Sequence, residues 1–131
     1  MDVTIPARVA AITPLVESVM DAVRRHSTAK ELEIETALRE ALANAIKHGC
    51  LCDPSKLVQC SVVFEENGNG RSVVIIVSDP GPGFNATHVP DPTSDEHLYR
   101  AHGRGIYLIQ RLMDEVRFTR GGAEIHMRSK I

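Results

Sequence analysis

Cysteine is scarce in this chain. Cys50, Cys52 and Cys60 are the only three in 131 residues. An odd number this small cannot build a disulfide scaffold, so a reduced, cytoplasmic setting is expected. Clustered positive charge is missing too. Lys and Arg total 15 against 17 Asp and Glu, a formal net charge of -2, with no basic block. Neutralising a nucleic-acid backbone needs clustered cations, which argues against a direct nucleic-acid partner. No apolar run approaches the roughly 18 residues of a membrane span. The opening Met1-Asp2-Val3-Thr4-Ile5-Pro6 lacks the basic-then-apolar layout of a secretory signal. Internal repeats and low-complexity tracts are also absent. What is present, 43% apolar and 24% charged residues, is the balance of one soluble globular domain over residues 1–131.

The apolar spacing lays out an α/β two-layer sandwich. Residues 2–7 alternate as a strand. Pro14 suits the first turn of a helix, after which Leu15, Val16, Val19, Met20 and Val23 recur at helical spacing up to Arg24-Arg25-His26. A second helix is predicted from about 34 to 48, with Leu38, Ala41, Leu42, Ala45 and Ile46 as its apolar face. Glu40, Asn44 and His48, each four apart, line up beside that face, and Gly49 is a natural stop. Stretches 57–66 and 71–79 read as strands joined through Asn67-Gly68-Asn69-Gly70. A third helix is expected over 106–113, then a closing hairpin of 116–120 and 123–128 around Gly121-Gly122. The sum is a mixed, mostly antiparallel sheet with helices on one face.

Several stretches could carry chemistry. The pattern G-x-x-x-x-G-K-[ST] is absent, which excludes a P-loop. Gly103-Arg104-Gly105 lacks the third glycine of the dinucleotide fingerprint, because position 108 is Leu, and it follows a long loop rather than a strand. Gly103 and Gly105 stand instead just before the third helix. Free N–H groups and the helix dipole attract anions there, and glycine admits a phosphate closely. Asp79-Pro80-Gly81-Pro82-Gly83 ends an apolar strand, and an acidic side chain held in so stiff a turn can accept a hydrogen bond from a ligand amino group. Glu40 and Asn44, one helical turn apart, suit a general base and an oxygen ligand for a hard cation. Lys47 and His48 add cationic character at the same helix end.

The stretch 84–102 is longer than the roughly 12–15 residues usual for a loop in a compact domain. Bracketed by the two glycine motifs, it suits a lid closing over a ligand. Taken singly, these features are equally those of a glycine-rich helix start, a surface turn and a solvated helix face; their joint order carries the reading. His48-Gly49-Cys50-Leu51-Cys52 matches no common zinc spacing and reads as a helix exit with reduced thiols.

The run Glu40-Ala-Leu-Ala-Asn44-Ala-Ile-Lys47-His48-Gly49, then Asp79-Pro-Gly81-Pro-Gly83, then Gly103-Arg104-Gly105-Ile106 resembles the N box and the two glycine boxes of the GHKL ATPase superfamily, which shares the Bergerat ATP-binding fold. The continuation through Met113-Asp114-Glu115-Val116 is most similar to the stand-alone anti-sigma factor serine/threonine protein kinases. Asn44-Ala-Ile-Lys47 is also common in histidine kinases, whose upstream phosphoacceptor domain has little room before Glu40.

The resemblance implies that ATP or ADP binds with Mg²⁺ coordinated by Asn44, and that Glu40 is the base for the attacking hydroxyl. It also implies that Asp79 bonds the adenine amino group while Gly81 and Gly83 shape its pocket. Gly103, Arg104 and Gly105 would cradle the phosphates, with Lys47, His48, Arg100 and His102 as further nucleotide-binding candidates. The function implied is to sequester a sigma factor and phosphorylate a STAS-domain anti-anti-sigma protein, with a homodimer as one expected state. Two rivals stand beside it, a non-catalytic ATP-dependent binding module and a detached histidine kinase ATPase domain.

Overall fold

The computed structural model describes residues 1–81 and 105–131. The expected lid over 84–102 lies outside the described residues, as do Gly83, Arg100, His102, Gly103 and Arg104.

In chain order the elements are β1 (Asp2–Pro6), a 3-10 turn (Val9–Ala11), α1 (Ile12–His26), α2 (Glu31–Asn44), a π-helical turn (Ala45–Gly49), β2 (Leu57–Asn67), β3 (Gly70–Ser78), α3 (Gly105–Leu112), β4 (Glu115–Thr119) and β5 (Glu124–Lys130). The sheet order is β1-β2-β3-β5-β4. Every pairing among the described residues is antiparallel, so the sheet expected to be mixed and mostly antiparallel is antiparallel throughout this part of the chain.

Strand alternation sorts the sheet into two faces. Val58, Cys60 and Val62 of β2, Val73, Ile75 and Val77 of β3, and Ile125 and Met127 of β5 are buried. They form one core with Leu15, Val19, Met20 and Val23 of α1 and Ile34, Leu38, Leu42 and Ile46 from α2 and the turn after it. Each such aliphatic removed from water contributes about 1.5–3 kcal/mol, which fixes the helices on this one face. The other face carries Glu124 and His126 of β5 and Thr119 of β4. Thr119 Oγ1 donates to Glu124 Oε1 at 3.1 Å, and His126 Nε2 lies 2.8 Å from the same oxygen.

The second helix differs from its predicted span of 34–48 at both ends. It begins at Glu31, where the acidic Glu31 and Glu33 favour the first turn and Arg24 of α1 pairs with Glu31. At the other end α-helical geometry stops at Asn44. The turn Ala45–Gly49 widens, with the Cys50 amide reaching back to the Ala45 carbonyl at 2.9 Å. Of the row expected of Glu40, Asn44 and His48, the first two lie within α2, and His48 lies in the π-helical turn that follows it. Lys47 and His48 are both exposed. Leu51 and Cys52 then adopt φ of 53° and 57°, a left-handed pair that turns the chain toward β2.

Candidate functional site

The site is built where α2, the π-helical turn, the end of β3 and the start of α3 meet. Glu40 and Asn44 are partly buried on α2, and the first residue of α3, Gly105, packs directly against both. A β-carbon placed on Gly105 would stand 2.8 Å from Glu40 Oε2, 3.0 Å from Asn44 Nδ2 and 3.3 Å from Asn44 Oδ1. The carboxylate and the carboxamide thus converge on one point at a helix N-terminus, where any side chain would have to push one or both of them aside. The apolar side of α3, with Ile106 and Ile109 buried, holds it there. A carboxylate and an amide oxygen side by side are hard donors of the kind that bind Mg²⁺ together with water and phosphate oxygens.

The second half of the site surrounds Asp79, immediately after β3. Its amide donates to the Ala123 carbonyl at 2.9 Å, and its Oδ1 accepts the Gly81 amide at 2.8 Å. Asp79 is only 9% exposed. That burial pushes its carboxyl above the ordinary carboxylate value, against the opposing pull of the Gly81 amide and the cations Arg120 and Lys56. A cavity of about 460 Å³ lies alongside, lined by Lys56, Gln59, Ser78, Asp79 and Arg120 among others.

Gly49 and Gly81 close around the same carboxyl group. A β-carbon on Gly49 would overlap the Cγ and both oxygens of Asp79. One on Gly81 would overlap the Gly49 carbonyl oxygen and stand 2.8 Å from Asp79 Oδ1. The sequence reading treated Gly49 as the stop of a helix, and its tertiary role is visible only once β3 is in place. Lys56, Arg120 and Ala123 were likewise not singled out. They come from a loop and a hairpin turn, and nothing local in their sequence points to a carboxylate far away in the chain.

Of the site residues expected from the sequence, Glu40, Asn44 and Gly105 meet at one point, and Asp79 and Gly81 meet at another. Those two points are joined by the turn that starts after Asn44 and ends at Gly49. Lys47 and His48 sit on that turn and face solvent. The thiols behind it are free: Cys50 and Cys60 are buried and Cys52 is exposed. Burial pushes the Cys60 thiol up to about 12, and burial, with Asp79 adding to it, raises that of Cys50. Among the described residues no three His, Cys, Asp or Glu side chains form a metal-holding group, and no helix is long and apolar enough to cross a membrane.

The family model for the histidine kinase-like ATPase domain matches residues 5–129. A protein named anti-sigma F factor from Bacillus cytotoxicus is 31% identical over 131 residues, which covers 95% of this chain and 78% of that one. The protein of the same name from Clostridium perfringens is 31% identical over 135 residues, 98% of this chain and 84% of its own length. The one from Anoxybacillus flavithermus is 38% identical over 87 residues, 64% of this chain, and the match spans 56% of that relative.

Proposed function

This chain belongs to the histidine kinase-like ATPase family and, within it, to the anti-sigma factor group, and from that premise we propose that it is a Mg-ATP-dependent serine/threonine protein kinase that holds a sigma factor inactive. Its phosphoryl acceptor is a serine or threonine hydroxyl on a STAS-type antagonist, so that phosphorylation governs which partner is held. Residues 1–131 act as one ATPase domain in the cytoplasm, with 84–102 as the lid over the nucleotide.

The observation that carries this reading is the meeting of Glu40 and Asn44 at Gly105. Its donor set suits Mg²⁺, and the buried Asp79 carboxylate is an acceptor suited to an amino group at the edge of a base. Bound Mg-ATP supplies the transferable phosphoryl group and neutralises its charge, in a reaction that depends mostly on positioning. Asn44 would hold the cation through its amide oxygen. Asp79 would accept a hydrogen bond from the adenine amino group, with Gly81 and Gly83 assigned to the ring. Gly103, Arg104 and Gly105 are assigned to the phosphates, for which the start of α3 would supply backbone N–H donors. Glu40 takes the proton from the incoming hydroxyl at its carboxylate, one helical turn from the cation ligand.

Glu40→Gln tests this reading. The variant keeps size and polarity but cannot take a proton at neutral pH. It is expected to bind Mg-ATP and copurified protein partners nearly as wild type does, while phosphate transfer falls at least about a hundredfold. Mass spectrometry of the phosphosite and a single-turnover transfer assay measure this. Equal transfer rates in the two proteins would remove Glu40 from the mechanism. Absence of transfer by wild type to any copurified partner would leave the nucleotide-dependent binding module as the better reading.

A further inference from the structure

We propose that Gly49 is a specificity-determining positioning residue. Its missing side chain is the seat of the Asp79 carboxylate, and through it the helix that bears Asn44 and Glu40 sets the aim of the group that reads the base. The inference rests on the nucleotide reading of the preceding subsection and adds to it a residue whose effect passes through Asp79.

Three observations carry it. First, all three terminal atoms of Asp79 occupy the volume that a Gly49 β-carbon would need. Second, the carboxylate is held in that volume by one backbone donor, the Gly81 amide at 2.8 Å, and Gly81 is itself so close that its own β-carbon would overlap the Gly49 carbonyl oxygen. Third, Gly49 closes a π-helical turn that begins directly after Asn44. Such turns occur mostly as single insertions at functional sites. Here the widened turn runs from the residue after Asn44 to the glycine that meets Asp79 beyond the end of β3.

The colliding group on Asp79 is the end of a rotatable side chain, so a methyl group at Gly49 displaces the carboxylate and leaves the fold intact. The displaced carboxylate loses the Gly81 amide and its aim at the base. Adenine presents an amino donor at the edge where guanine presents a carbonyl acceptor. A seated carboxylate therefore favours adenine and repels guanine, and an unseated one does neither.

The test combines a stability cycle with a binding ratio. Gly49→Ala, Asp79→Ala and the double variant of the full chain are unfolded in urea without nucleotide. Gly49→Ala is expected to lower the midpoint in the wild-type background and to leave it level or raise it in the Asp79→Ala background, where the colliding group is gone. Equal losses in both backgrounds overturn the seating. Dissociation constants for Mg-ATP and Mg-GTP are then measured for wild type and Gly49→Ala. The preference of wild type for ATP is expected to shrink by about tenfold or more in the variant, the range of a hydrogen bond to a charged group. An unchanged ratio in folded Gly49→Ala overturns the specificity claim. Binding of neither nucleotide by wild type overturns the nucleotide reading and the specificity claim with it, while the urea cycle still decides whether Gly49 seats Asp79.

Discussion

Gly105 and Glu40 are separated in sequence by strands β2 and β3, yet a β-carbon on Gly105 would stand 2.8 Å from the Glu40 carboxylate oxygen. The start of α3 is thus moulded onto the two polar side chains of α2, and each constrains the other. Ile106 and Ile109 press α3 down from its apolar side, so a group inserted at Gly105 displaces Glu40 and Asn44 rather than the helix.

Gly105→Ala is the first consequence. Only the ends of two side chains stand in the way of the methyl group, so the thermal midpoint of the free protein is expected to stay about level. Mg-ATP affinity and phosphate transfer are expected to fall together, because the methyl group pushes the Asn44 amide and the Glu40 carboxylate apart. Calorimetric melting beside nucleotide titration separates these effects. A variant that loses stability and keeps transfer would contradict the moulding.

Asn44→Ala removes the amide oxygen while leaving Glu40 in place. Nucleotide affinity in the presence of Mg²⁺ should drop toward the value measured with EDTA, and transfer should be lost with it. Titration of wild type and variant with ATP, each with and without Mg²⁺, reads the difference directly. Asn44→Asp is expected to retain part of the metal dependence, since a carboxylate oxygen also binds a hard cation.

Among the described residues, Asp79 and Glu124 contribute to the pH dependence of stability with opposite sign. Burial raises the Asp79 carboxyl in the folded protein. The folded state therefore holds the proton more tightly than the unfolded chain, and this group's contribution falls as pH rises from the ordinary carboxylate value through the raised one. At neutral pH an ionised Asp79 costs stability. Asp79→Asn should accordingly raise the urea midpoint of the free protein at pH 7 while weakening ATP and its discrimination from GTP. Glu124 behaves in the opposite sense. Burial alone would raise it, but hydrogen bonds from His126 and Thr119 hold it below its usual value. Its contribution is present above the unfolded pKa and lost as pH falls through the depressed one. Urea midpoints from pH 4 to 8 for wild type, Asp79→Asn and Glu124→Gln check both signs.

Thiol reactivity should follow burial. Cys52 is exposed, whereas Cys50 and Cys60 are enclosed and their thiols are pushed up, that of Cys60 to about 12. Iodoacetamide at neutral pH is expected to modify Cys52 first, with Cys50 and Cys60 reacting at the rate of unfolding. Peptide mapping after timed labelling, native and in denaturant, measures the three rates. Rapid native labelling of Cys60 would contradict its buried place on β2 in the core.

Much of this architecture was legible in the order of residues. The apolar centres of 57–66 and 71–79, with the Asn-Gly turn between them, placed β2 and β3 within a residue or two, and the four-residue spacing of Leu38, Leu42 and Ile46 marked the core face of α2, because period and burial are local properties of the chain. The three ordered motifs also pointed to the family that the comparison at residues 5–129 shows. Other features were decided only in three dimensions. The π-helical turn at Ala45–Gly49 has no signature of its own in sequence, and the contact of its last residue with Asp79 exists only once β3 is in place. Gly105 looked like an anion-binding helix start, and its contact with Glu40 and Asn44 arises because α3 packs on α2. The residue types at each motif are thus written in the chain, since each needs only its own chemistry. Which of them touch depends on how helices and strands distant in sequence are pressed together by burial of a common core.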